Sequence, residues 1–306
     1  MTSKPGRKSF HYRNPSWTST MPPVRRATRK IREAIKKIPT KTASGKPKPK
    51  SKPLPLVERT NALSREEFIS LHIPPSELNF QKKVKELGGK ICSAQTEENV
   101  SQSQDNAPSQ IPESERHNSY EISVHAASTI PATDLESCFK LIELTSSAAY
   151  KDSSMGWSAS EKRKEMKLPD MKYMILRRRA TANIPNGYEN VEGDDQSSDT
   201  GEFAGFIEFM VTYEDGYEVL YCYEIHLMPK VQSQGLGEEL MERFERIGRA
   251  IGLEKAMLTV FKSNSRALKF YMRVGYTEDE SSPRPRKLRN GNVKEADYMI
   301  MSKNLR

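Results

Sequence analysis

The run "EIHLMPKVQSQGLGEELMERF" places Gln232-x-x-Gly235-x-Gly237 between a strand-like stretch and a helix-like one. A helix start presents four N–H groups without intrahelical partners and about half a positive charge, so glycines there let an anion touch the backbone itself. Ser233, Gln234, Gly235, Leu236, Gly237 and Glu238 could together offer several N–H donors to a pyrophosphate. Gly235 and Gly237 add no Cβ, which admits close phosphates and unusual dihedrals. The spacing is not that of G-x-G-x-x-G, and no Lys-Ser/Thr pair follows, which argues against a nucleotide triphosphatase. The bland alternative is a plain helix-entry turn.

Such a loop needs a strand before it and an amphipathic helix after it. "YEVLYCYEIHL" supplies the strand, and Leu236, Leu240, Phe244, Ile247 and Ile251 recur at helical steps on one apolar face. "FAGFIEFMVTY" and "YEVLYCYEIHL" flank "EDG" and predict a hairpin. Earlier, "SREEF" opens a capped helix, "YEISVHAA" reads as a strand, and "TDLESCFKLIELTSSAAY" as a helix with a Thr133-x-x-Glu136 capping box. Ser158 and Glu161 stand in the same relation ahead of another helix, and "KYMILRRR" is a strand. "NVEGDDQSSDTGE" is an exposed connection. "KAMLTVF", "SNSRALKFYMRVG" and "ADYMIMSK" complete a strand, a helix ended by Gly275, and a last strand. Strands and helices alternating in this way predict an α/β (α+β) fold, a mixed twisted central sheet flanked by helices.

Three segments follow from composition. Residues 1–56 hold 16 Lys and Arg against one acid, Glu33, so within the overall +9 the rest of the chain carries −6. This basic, proline-rich tail buries too little apolar surface to offset its ordering entropy and is expected to be disordered. It reads as a phosphate-binding arm for RNA or DNA, as a nuclear import signal, or as a solvated spacer. Residues 57–119 form a helical lead-in with a polar, acidic insertion, "AQTEENVSQSQDNAPSQIPESER", and residues 120–306 form the main domain. Cys92, Cys138 and Cys222 are an odd number at no metal spacing, which points to a reducing compartment without a metal site. No apolar run approaches the roughly 18 residues a membrane span requires, so no membrane partner is expected.

The glycine loop, together with Asn264-x-x-Ala267-x-x-Phe270-Tyr271 and the following Gly275-Tyr276, resembles the two cofactor segments of the GNAT acetyltransferase superfamily. Across residues 139–302, "AAYKDSSMGWSASEKRKEM", "EVLYCYEIHLMPKVQSQGLG" and "KAMLTVFKSNSRALKFY" resemble the NatD class of N-alpha-acetyltransferases. That class acetylates the α-amino group of core histones beginning Ser-Gly-Arg-Gly. The resemblance implies a GNAT fold, acetyl-CoA as co-substrate, histone N-terminal peptides as partners, and a nuclear and cytoplasmic location. It further implies that the backbone of Ile225, His226 and Leu227 runs beside the pantetheine arm, that Gln232 and the residues after it hold the pyrophosphate, and that Asn264 meets the cofactor. Substrate contacts would fall to Tyr150, Trp157, Thr212, Glu214, Tyr223, Thr259 and Tyr298. Met155 stands where this class usually has tryptophan, and Thr212 where it often has aspartate.

Transfer needs a neutral amine, a stabilised oxyanion and a protonated leaving thiolate. An α-amine, with a pKa near 8 against roughly 10.4 for lysine, is about a quarter neutral near pH 7.4, so only a gentle base is required. Glu224 is the candidate base, acting directly or through water; it reads otherwise as an exposed strand carboxylate paired with a lysine. Tyr271 falls where many relatives place the acid for the thiolate, and reads otherwise as a core aromatic. On strand alternation His226 shares a face with Glu224; it reads equally as a packing residue beside the cofactor and stays outside the proton-transfer set. Cys222 has no activating histidine motif, and direct transfer needs no covalent intermediate. Tyr150, Tyr221, Tyr223 and Tyr298 could wall a pocket for a small terminus, with Glu214 meeting the arginine that follows. The rival readings are a lysine acetyltransferase and a non-catalytic acetyl-CoA-binding module whose tail docks on chromatin or ribosomes.

Overall fold

The computed structural model describes residues 53–83, 117–179 and 201–306. The basic tail up to residue 52, the first acidic insertion, and the second as far as residue 200 lie outside the described residues, while Glu202 at the end of the second opens a strand. The elements are α1 (Leu56–Asn61), α2 (Arg65–His72), β1 (Asn79–Lys83), β2 (His117–Ala126), α3 (Ala132–Lys151), α4 (Ala159–Glu165), β3 (Lys172–Arg178), β4 (Glu202–Glu214), β5 (Tyr217–Leu227), α5 (Leu236–Ile251), β6 (Lys255–Phe261), α6 (Ser265–Arg273), β7 (Thr277–Glu278), β8 (Arg286–Lys287), β9 (Val293–Lys294) and β10 (Tyr298–Asn304). Eight strands form one sheet in the order β1-β2-β3-β4-β5-β6-β10-β7, and β8 pairs β9 separately. Within the large sheet β5 and β6 run parallel and all other neighbours are antiparallel.

Local chemistry accounts for most boundaries. Ser64 and Glu67 close a reciprocal capping box on α2, with Ser64 Oγ accepting from the Glu67 N–H and Glu67 Oε2 from the Ser64 N–H. The β4–β5 hairpin turns on Asp215 and Gly216, whose φ values of 46° and 89° match the twist of a two-residue hairpin loop. The second expected capping box does not form. Pro131, with its φ preset near −56°, is the N-cap of α3, so Thr133 already lies inside the first turn. Glu136 instead takes a two-pronged bond from Arg163 of α4, at 2.5 and 3.0 Å, while that guanidinium stacks on Phe139.

The stretch read as a helical lead-in also supplies a strand, so the sheet begins at Asn79 and not near Tyr120. Phe80 stacks on Tyr120 across the β1–β2 pair, with ring centroids 5.4 Å apart. Val57, Phe68 and Ile73 are buried with Ile122, Phe209, Leu220, Leu240, Phe244 and Leu258 on one face of the sheet, beneath α5. On the other face, α3 and α4 cover Cys138, Phe139, Ile142, Met166, Tyr173, Phe206 and Met210.

Candidate active site

Pairing of β5 with β6 ends at Cys222 and Leu258, while β5 continues to Leu227 along β4. Beyond Cys222 the two parallel strands part, and the edge of Tyr223–Leu227 that would have faced β6 opens as a slot. The register on the β4 side shifts at the same place: Glu208 opposes Glu224, but Phe209 opposes Cys222, leaving Tyr223 as the extra residue of a β-bulge. The bulge brings to one face side chains that strict alternation would divide. Tyr221 and Tyr223 meet edge to face at 5.5 Å, Glu224 and His226 are hydrogen-bonded, and Tyr223 packs on the α3–α4 cluster. Cys222, Ile225 and Leu227 turn to the opposite core.

Glu224 is 7% exposed and is bonded through both carboxylate oxygens. Its Oε1 accepts from Lys162 Nζ at 2.7 Å and from the Tyr150 hydroxyl at 2.8 Å, and its Oε2 lies 2.7 Å from His226 Nε2. Burial alone would raise the carboxyl, but the Lys162 ammonium and the His226 contact hold it well below the usual carboxylate range. Lys162 also reaches Glu165 Oε1 at 2.7 Å and the Tyr150 hydroxyl at 3.0 Å. Against the penalty of burial, these carboxylates raise its ammonium well above the ordinary lysine value. Burial and the neighbouring Glu224 raise the Tyr150 phenol, which therefore stays protonated.

Directly across from Glu224 stands Glu208, wholly buried, with neither oxygen in a hydrogen bond. The Tyr173 hydroxyl beside it donates to the Met166 carbonyl instead. Burial pushes Glu208 well above the carboxylate range despite Lys162 nearby, so it is a neutral acid facing an ionised one.

Aromatic rings surround this cluster. Tyr150 packs edge-on to Phe261 at 5.1 Å and against Trp157 at 5.7 Å, and the Tyr221 hydroxyl is 2.6 Å from Thr259 Oγ1. The segment between α3 and α4 is tied to the start of β10 by Asp297, which accepts from Ser154 N at 2.5 Å and Ser154 Oγ at 2.9 Å. Tyr298 follows Asp297 and is half-buried. Thr212 and Glu214 are buried on β4, further along the strand than Glu208. Glu214 Oε1 has no partner, and burial raises this carboxyl to about 7. Burial likewise raises Tyr271, which lies within electrostatic reach of Cys222 and Glu224 and stays a protonated phenol.

At the loop, Gly235 is the N-cap of α5 with φ 81° and no side-chain cap, and Ser233 also has a positive φ of 63°. The bends are braced from within: Gln232 Nε2 donates to the Leu227 carbonyl at 3.0 Å, and Gln234 Nε2 to the Lys230 carbonyl at 3.2 Å. Gly237 also serves packing. A Cβ there would stand 3.2 Å from the Phe270 ring, so its bareness lets α5 approach α6. Asn264 caps α6 by accepting from the Ala267 N–H at 3.0 Å, which leaves its amide –NH2 as the group able to meet a ligand. Among the described residues no group of three or more His, Cys, Asp or Glu stands close enough to hold a metal, and no helix is long and apolar enough to cross a membrane.

The strand order and the slot coincide with a family match. Residues 165–276, from the end of α4 to the residue before β7, match the acetyltransferase (GNAT) family. That match covers less than half of the chain, and the sheet around it has the GNAT fold: mixed, mostly antiparallel and flanked by helices. Acetyl-CoA is the acyl donor of that family.

Several solved structures resemble the chain. The ribosomal-protein-S18-alanine N-acetyltransferase from Escherichia coli is 18% identical over 60% of this chain and 94% of its own, with a TM-score of 0.36. An acetyltransferase from Streptococcus agalactiae is 14% identical over 60% and 98%, with a TM-score of 0.41. Arabidopsis thaliana NAA60, in complex with a bisubstrate analogue, is 12% identical over 60% and 97%, with a TM-score of 0.39.

Sequence reasoning did not single out Lys162, Glu208 or Thr145, which bonds to His226 Nδ1. Glu208 left a trace, as the one charge inside the apolar run "FAGFIEFMV". Lys162 left none, being one of three basic residues in "SEKRKEM".

Proposed function

We propose that the chain transfers acetyl from acetyl-CoA to the N-terminal α-amino group of core histones beginning Ser-Gly-Arg-Gly, by direct attack within a ternary complex. The observation that carries this reading is Glu224: an ionised carboxylate at the bulge where β5 leaves β6, with one lone-pair direction on Oε2 still unfilled. An α-amine that arrives neutral attacks a thioester laid along the β5 edge, and the carboxylate takes the much more acidic N–H proton of the adduct as it forms. The backbone edge of Ile225–Leu227 turned away from β4, where the Leu227 carbonyl already accepts from Gln232, meets the pantetheine arm, while the amides from Ser233 to Glu238 and the Asn264 side chain meet the rest of the cofactor. Tyr271, kept protonated by burial, supplies the departing thiolate with a proton.

The aromatic walls of Tyr150, Trp157, Tyr223 and Tyr298, with Thr259, suit a small terminus. Glu214, buried with an oxygen unpartnered, suits a guanidinium that would restore its charge. Contact of the basic tail with ribosomes or nucleic acid, and residence in nucleus and cytoplasm, belong to the same proposal. The test is intact-mass measurement of a Ser-Gly-Arg-Gly-Lys peptide after incubation with acetyl-CoA, with the α-amine free and with it blocked. One added acetyl on the free peptide and none on the blocked one is expected. Persistent modification of the blocked peptide would make the chain a lysine acetyltransferase.

A further inference from the structure

We propose that Lys162 is a positioning residue of the transfer: with Tyr150 it fastens Glu224 by Oε1 and so reserves Oε2 for the substrate amine. The inference rests on the reading of Glu224 as the group that takes the amine proton. It starts from donor counting. Lys162 Nζ has three N–H groups and meets three acceptors: Glu224 Oε1 at 2.7 Å, Glu165 Oε1 at 2.7 Å and the Tyr150 phenol oxygen at 3.0 Å. An ammonium only donates, so the single Tyr150 proton goes to Glu224 Oε1, 2.8 Å away. Nζ, the phenol oxygen and Oε1 thus close a triangle whose bonds all run from donor to acceptor. Two donors occupy Oε1, whereas Oε2 has the His226 contact alone. Held at both oxygens, the carboxylate cannot turn over. An arriving N–H finds its acceptor at Oε2, which leaves the nitrogen lone pair free to attack.

The hold is one of charge as well as direction. The groups facing Glu224 are Lys162 of α4, the Tyr150 phenol of α3, His226 on its own strand and, directly opposite on β4, Glu208. The Cys222 thiol and the Tyr271 phenol of α6 lie within electrostatic reach. Lys162 is the ammonium among them, buried and raised well above the ordinary lysine value by the carboxylates around it, so it stays charged. A buried carboxyl without a bonded cation takes up a proton rather than remain charged, as Glu208 does one strand away. Packing alone would be served as well by an apolar side chain of the same length. Lys162 touches Glu224 and Tyr150, not the reacting carbon, so its part in the transfer is exerted through them.

Lys162→Met should lower kcat for the α-amine peptide by about 10–100-fold at pH 7 and leave KM for acetyl-CoA within twofold. The pH profile carries the decision. In the wild type Glu224 is already ionised, so only the substrate amine, with a pKa near 8, must lose a proton, and log(kcat/KM) rises with pH at a slope of about one. In Lys162→Met burial lifts the Glu224 carboxyl into the working range, a second proton must leave, and the slope approaches about two. Lys162→Arg keeps the charge and should keep the slope of the wild type. A fall of equal size at every pH would make Lys162 a packing residue and overturn the proposal, as would a Lys162→Met enzyme with wild-type turnover. The carboxyl 13C resonance of Glu224, assigned with Glu224→Gln, reads the same hold in the full wild-type chain without substrate: it should not titrate between about pH 4 and pH 8. Titration in the ordinary carboxylate range refutes the hold. If the carboxyl stays ionised while the wild-type chain leaves the α-amine peptide unmodified, the anchoring of Glu224 stands and the proposed reaction falls.

Discussion

The two faces of the central sheet are packed by different rules. Beneath α5 an apolar layer meets the sheet: Phe209 meets Phe244 edge-on at 5.7 Å, and Leu236, Leu240 and Ile247 fill the helix face, while the buried Arg243 and Glu245 of the same helix are held in ion pairs. Beneath α3 and α4, the same thickness of core contains Lys162, Glu208 and Glu224, all under one tenth exposed, with His226 at its edge. A buried ion pair stabilises little or nothing compared with apolar side chains of the same size. The second face therefore forgoes packing energy to hold charges in place, while the first supplies the stability that permits it. Glu208 and Glu224, directly opposed on neighbouring strands, show the contrast at closest range, because only Glu224 has cationic and hydroxyl partners.

The sharpest way to break this division is at Glu224. Glu224→Gln should reduce turnover of the α-amine peptide by about 10²–10³-fold while leaving the calorimetric affinity for coenzyme A within twofold. Glu165 keeps Lys162 paired in that variant, so the fold survives. Unaltered turnover would remove Glu224 from the proton path. The mirror experiment is Phe244→Ala on the apolar face, expected to cost about 3–5 kcal/mol in urea unfolding and to leave the rate per folded molecule unchanged. A matching fall in the specific rate would show that the two faces are not separable.

The smallest effect concerns Glu208. Its folded-state pKa is raised by burial, so the folded chain keeps a proton that the unfolded chain releases. That contribution is fully present below the ordinary glutamate pKa and is lost as pH climbs toward the raised value, by up to about 1.4 kcal/mol per pH unit. Glu208→Gln does not titrate. Its stability relative to the wild type should therefore improve between pH 5 and pH 8 in paired urea titrations, and a difference that stays flat would mean that Glu208 is already ionised.

Features governed by neighbours in sequence were legible beforehand. The hairpin on Asp215–Gly216, the capped start at Ser64, the apolar stripe of α5 and the left-handed turn at Gly235 each depend on a few adjacent residues. So did the shared face of Glu224 and His226. What escaped depends on contacts distant in the chain. Lys162 lies 62 residues from the Glu224 oxygen it pairs with, and nothing in "SEKRKEM" distinguishes it from its neighbours. The register shift at Tyr223 follows from how β4 and β5 align, which an alternating pattern read on one strand cannot reveal. Strand β1 was hidden because "NFQKK" buries its side chains only in part, and the misplaced box at Thr133 overlooked a proline already set for the helix.

The one-residue slip at Tyr223 makes this strand unusually sensitive to length. Deleting a single residue there would restore simple alternation, turning either the Tyr221–Tyr223 pair or the Glu224–His226 pair into the apolar interior. Point substitutions at these four positions alter one group each, whereas a frame change of one codon exchanges chemistry for packing. Among related chains, the spacing between the tyrosine pair and the acid should thus vary less than the residues themselves.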